Sequence, residues 1–67
     1  GGNDGLDVFR KVIYKSKYLL KSNGILALEI GTGQFSQVNS LLNENNFKNK
    51  ILVKDYKNNI RCIFSTL

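Results

Sequence analysis

The sequence predicts an α/β domain: a three-stranded mixed sheet, one parallel pair plus a C-terminal antiparallel hairpin strand, with two helices on opposite faces. Three observations carry that expectation. Apolar residues recur at helical spacing from Leu6 and again from Phe35. Between them lies "ILALEI", apolar on both sides like the interior strand of a helix-covered parallel sheet. Two further β-rich runs close the chain around the turn residues "KNN".

Taken in order, "GGNDG" opens with turn residues, and Asp4 or Asp7 is a candidate cap for the first helix, about residues 6–21. Its core face is expected at Leu6, Phe9, Val12, Ile13, Ser16 and Leu19/Leu20, with Lys11, Lys15 and Lys17 opposite. Asp7 at its start and Lys17 and Lys21 at its end suit the helix dipole. "KSNG" should close it through a left-handed Asn23 or Gly24. The strand 25–30 follows, then the turn "GTGQ" and a second helix, about 34–45, with Phe35, Val38, Leu41 and Leu42 inward. "NENN" ends that helix and Phe47 should pack it on the sheet. Strands at about 50–56 and 60–66 flank a tight turn whose asparagines tolerate positive φ. A strand–helix–strand unit implies a right-handed crossover and a parallel pair. No repeat, linker or low-complexity segment interrupts residues 1–67, which read as one unit of three strands and two helices.

Composition excludes several functions. The chain has 67 residues, one cysteine and no histidine. Cys62 therefore has no internal disulfide partner and no His base, and a zinc site lacks ligands. Within "IRCIF" it reads as a small core residue, and its thiol suits a reducing compartment. No apolar run reaches the roughly 18 residues of a membrane span. The charge of +5 comes from eight lysines and two arginines against five acids. A basic chain raises nucleic acid as a partner, with Tyr14, Tyr18 and Tyr56 as base-stacking candidates. The lysines, from Lys11 to Lys57, are dispersed, however, and nine asparagines accompany them. That pattern reads as a solvated face.

The remaining candidate is "EIGTGQF", residues 29–35. Gly31 and Gly33, an acid before them and a helix after them are the ingredients of a nucleotide or methyl-donor loop. Asp55 lies near the distance expected of a ribose-binding acid. Phe35 and Ser36 stand where a third glycine would be, so the signal from these residues alone is weak.

The flanks are more specific. Gly1, Gly2, Asp4, Gly5, Leu6, Asp7, Phe9 and Arg10 enter the first helix. Leu20, Lys21 and Gly24 leave it, and Leu28, Glu29, Ile30, Gly31 and Gln34 follow. Leu41, Leu42, Phe47, Lys54, Asp55 and Arg61 complete the series. In this order they resemble the C-terminal part of the protein-glutamine N5-methyltransferases that modify peptide-chain release factors. "LKSNG" and "DYKNNIR" depart from that pattern, both in turns.

The resemblance implies part of a Rossmann-like, S-adenosylmethionine-dependent methyltransferase fold. It puts "EIGTG" at the fifth strand of a seven-stranded sheet, away from the donor loop, and makes Glu29 a structural acid. It also implies a substrate motif, Asn-Pro-Pro-Tyr, that this proline-free chain lacks. No catalytic, cofactor-binding or metal residue is therefore assigned here. The expectation is a fragment inactive alone, needing the N-terminal half of the enzyme, in the cytoplasm or an organellar matrix. Self-association through the strand Ile25–Ile30 is expected of the isolated chain. A nucleic-acid-binding module, or a ligand-binding domain using Gly31–Gly33, are the alternatives.

Overall fold

The computed structural model describes residues 5–67. Helix α1 spans Asp7–Leu19, strand β1 Ile25–Glu29, helix α2 Phe35–Glu44, strand β2 Lys48–Lys54 and strand β3 Ile60–Thr66. The expected elements are all present, with shorter helices and with β2 shifted two residues towards the N-terminus.

The α/β class stands, but the strand arrangement differs from the expected one. The sheet order is β1-β3-β2, and both pairings are antiparallel. Among the described residues there is no mixed sheet and no parallel hydrogen-bonded pair. β1 and β2 do run in the same direction, as the crossover through α2 requires, but β3 folds back from its hairpin and inserts between them. The reason lies in β2, "KNKILVK". Lys48, Lys50 and Lys54 suit an edge, where their ammonium groups stay in water. "IRCIFST" carries one charge, at its entry, and takes the middle.

Both helices lie on the same face of the sheet, not on opposite faces. One core unites Leu6 and Ile13 of the first helical segment, Leu28 and Ile30 around β1, Val38 and Leu42 of α2, Phe47, and Ile63 of β3. Ile13, Val38, Leu42 and Ile63 are fully buried. Ser65 is buried too, and its hydroxyl donates to the Lys48 carbonyl at 2.8 Å, which meets its hydrogen-bonding need across the sheet. A two-layer packing leaves the other face of the sheet open.

Helix α1 turns a narrower face inward than its periodicity implies. Ile13 is buried and Phe9 and Leu20 pack against the core, but Val12 and Leu19 are exposed, as is Val8. Val8, Val12 and Leu19 fall on one stripe of the helix. Asp7 is not the cap: Leu6 is the N-cap residue, and the Asp7 carboxylate accepts from Arg10 Nη1 at 2.7 Å one turn on. The alternative cap, Asp4, lies outside the described residues, as do Gly1 and Gly2. No left-handed residue closes α1. The chain leaves through an extended Leu20, whose N–H donates to the Ser16 carbonyl.

The asparagines do the left-handed work elsewhere. Asn46 (φ 68°) follows α2 and brings Phe47 back to the core at 2% exposure. Asn49 (φ 56°) sits within an irregularity of β2, and Asn58 (φ 70°) makes the hairpin turn. Asparagine tolerates this conformation better than other residues with a Cβ.

Candidate functional site

The glycine loop is closed upon itself. The Gly31 N–H donates to Gln34 Oε1 at 2.8 Å, and the Gln34 N–H donates to the Gly31 carbonyl at 3.1 Å. One side chain thus occupies the amide that a phosphate or a donor group would seek at this turn. A Cβ on Gly31 would meet Gln34 Oε1 at 3.1 Å, so the glycine serves this contact. Gly33, at φ 83°, supplies the left-handed step before α2. Gln34 also bounds the preceding segment: a Cβ on Gly5 would stand 3.2 Å from its Nε2. The loop is a joint between the entry to α1, the end of β1 and the start of α2.

Glu29 does not take part in that joint. It is exposed on the open face of the sheet, opposite Cys62, and no described residue bonds its carboxylate. Its expected structural role is therefore not seen.

Asp55 organises the β2–β3 turn. Oδ1 accepts the N–H groups of Lys57 (2.8 Å) and Asn59 (2.9 Å), and Oδ2 accepts from Arg61 Nε at 2.8 Å. The Asn59 amide, followed by Arg61 and the Lys57 amide, holds its carboxyl below the usual range. With both oxygens engaged within the hairpin, Asp55 serves here as a turn-forming acid. Its partner Arg61 faces Ile30, whose N–H donates to the Arg61 carbonyl at 2.8 Å.

An open groove of about 380 Å³ runs between the helices, lined by Arg10, Lys11, Tyr14, Leu41, Glu44 and Asn45. Charges of both signs line it. Tyr14 and Tyr18 pack edge to face at 5.2 Å and 67°, and Tyr18 raises the Tyr14 phenol above its ordinary value. Tyr56 projects from the hairpin turn at 92% exposure, with Lys57 over its ring. The three tyrosines thus occupy a helix surface and a turn, two of them committed to each other. Among the described residues no group of three His, Cys, Asp or Glu side chains could hold a metal, and no helix is long and apolar enough to cross a membrane.

The sequence marks Gln34 and Arg61 only as matching positions, and Asp55 as a matching position and a candidate ribose-binding acid. Their roles as loop lock and turn clamp were not legible, although Asp followed by Asn-Asn and Arg is a recognisable turn pattern.

Comparison with known proteins bears out the resemblance. The chain is 40% identical over 63 residues to a release factor glutamine methyltransferase of Clostridium botulinum, covering 94% of the chain and 22% of the relative. It is 34% identical over 65 residues to that of Clostridium acetobutylicum, covering 97% of the chain and 23% of the relative. It is 39% identical over 62 residues to that of Fusobacterium nucleatum subsp. nucleatum, covering 92% of the chain and 18% of the relative. The chain therefore spans about a fifth of the length of the curated relatives it matches. Neither a protein-family model nor a solved structure matches it.

Proposed function

We propose that this chain is the C-terminal segment of a release factor glutamine methyltransferase and that it completes the enzyme's fold without contributing reacting groups. The observation that carries the reading is the end-to-end match: 92–97% of the chain aligns with relatives of which it spans only 18–23%. The sealed Gly31–Gln34 turn and the clamped Asp55 fit a supporting role.

In the whole enzyme the methyl group passes from the sulfonium of S-adenosylmethionine to the side-chain amide nitrogen of a release-factor glutamine. A thioether and a proton leave. Donor and substrate both bind in the preceding part of the polypeptide, and the three strands here extend its Rossmann-like sheet. Such an enzyme works in the cytoplasm or an organellar matrix. By itself the chain transfers no methyl group.

The free edge of β1 supports this reading. The Ile30–Arg61 hydrogen bond sets the alternation, so that Ile25, Ala27 and Glu29 send their N–H and C=O groups away from β3. No described strand receives them. Amide-correlation NMR of the chain with and without millimolar S-adenosylmethionine tests the assignment. Dispersed peaks that stay in place are expected. Saturable shifts at Gly31 to Gln34 would overturn it and make that turn a donor site.

A further inference from the structure

The turn between α1 and β1 is Lys21-Ser22-Asn23-Gly24. The chain has nine asparagines, and Asn23 is the one followed by glycine. That order matters chemically. An asparagine carboxamide lies within reach of the next residue's backbone nitrogen, and a side chain on that residue obstructs the approach; glycine has none. Asn23 is exposed, so water reaches its carboxamide. Asn39 and Asn43, by contrast, lie within α2 and precede residues that carry a Cβ.

The fold keeps Gly24 in its place. A Cβ there would stand 2.9 Å from Leu20 Cδ2 and 3.0 Å from the Lys21 carbonyl oxygen, so a larger residue would force the turn apart. The Gly24 N–H donates to that same carbonyl at 2.7 Å and closes the turn. The bond also restrains the nitrogen, because attack on a carboxamide needs it free and deprotonated. An exposed turn of this kind opens at the low-cost end of local unfolding, which releases the nitrogen from time to time.

We propose that Asn23 is a site of spontaneous deamidation, with the Gly24 nitrogen as nucleophile and water as the second reactant. The Gly24 amide gives up its proton, and its nitrogen bonds to Asn23 Cγ. The Cγ–Nδ2 bond breaks, and the leaving nitrogen takes up a proton and departs as ammonia. One water then opens the cyclic imide. Opening at Cγ leaves an aspartate at position 23. Opening at the backbone carbonyl leaves an isoaspartate, whose chain runs on through the side-chain carbon. In sum, one carboxamide and one water become one carboxylic acid and one ammonia. The new carboxylate lowers the net charge from +5 by one, to +4. It stands just past the C-terminal end of α1, where the helix dipole disfavours a negative charge. Isoaspartate also lengthens the backbone by one carbon shortly before Ile25, which pairs with Thr66 in β3. The strain therefore falls on the first register pair of β1. This chemistry is independent of the methyltransferase reading.

The test incubates the chain at mildly alkaline pH and locates the products by tandem mass spectrometry of its peptides. A gain of about 1 Da at Asn23 is expected, divided between two chromatographic peaks for the two products. Because the Lys21 carbonyl restrains Gly24, the gain should be about tenfold faster in urea than in the folded chain. Asn23→Gln should abolish it, since the longer side chain must close a larger ring, and the exposed position leaves the fold intact. A gain that maps to another asparagine, or that persists in Asn23→Gln, would overturn the assignment. So would a folded chain that stays unmodified at Asn23 while the chain in urea reacts there.

Discussion

The two edges of the sheet are built differently. β2 is a finished edge: its pairing with β3 is irregular at two places, Asn49 adopts φ 56°, and Lys48, Lys50 and Lys54 line it. Lys50 Nζ also donates to Asn43 Oδ1 of α2, which ties the edge to the helix above it. β1 has none of these devices. Its five residues pair with β3 in unbroken register, and its sequence is "ILALE". Irregularity and lysine are what natural sheets use to refuse further strands. The contrast therefore separates an edge built to refuse a further strand, β2, from one without such a guard, β1.

Both edges hang on β3, so the largest effect is expected there. Ile63→Ala should cost about 2–5 kcal/mol, as for buried aliphatic truncations. In a chain this small that is most of the stability, and urea denaturation followed by circular dichroism would show it. A loss below about 1 kcal/mol would mean that β3 is not the structural centre.

The edges themselves separate next. The isolated chain should self-associate through β1, with Ile25→Lys weakening the association by about tenfold, or about 1.4 kcal/mol, while Lys48→Ala on β2 changes little. Sedimentation velocity across a concentration series measures both. A clean monomer at high concentration, with the β1 amides exchanging freely, would show that the edge is guarded by some other means.

Asn49→Ala should then cost about 1 kcal/mol, the penalty of placing an ordinary side chain in the left-handed region, while Asn49→Gly should cost less. Thermal melts of the two variants give the comparison. Equal losses would trace the effect to the Asn49 Nδ2 bond to Thr66 Oγ1 at 3.0 Å and not to the backbone.

The smallest effect belongs to the hairpin. The folded carboxyl of Asp55 is held below its unfolded value, so its stabilising contribution is complete above the ordinary carboxylate range near pH 4 and fades as the pH falls through the folded value. Asp55→Asn should flatten that part of the acid unfolding curve. An unchanged curve would assign the acid sensitivity to other carboxylates.

The elements were legible in the sequence and their neighbours were not. Periodicity located both helices, and the apolar run located β1, because each pattern is local. Pairing is not local: "KILVKDY" and "IRCIFSTL" are each plausible beside β1. Only the lysines at 48, 50 and 54 argue against the first, as edge residues. The same limit explains Val12 and Leu19. Spacing marked them as a possible inner face, but a helix with two apolar stripes does not reveal which one this part of the chain covers. For the candidate site, the sequence supplied the residues of a ligand loop. The outcome turned on one side chain, Gln34, whose amide closes Gly31, and a geometry of that kind has no signature in spacing.

The central position of β3 also orders events in time. Residue 25 must wait for residue 66, and residue 29 for residue 62, before either finds its partner. During synthesis β1 and β2 leave the ribosome with nothing between them, and the sheet closes only when the last strand arrives. Contacts of such long sequence separation must close a long loop before they stabilise anything, which slows the folding of this sheet.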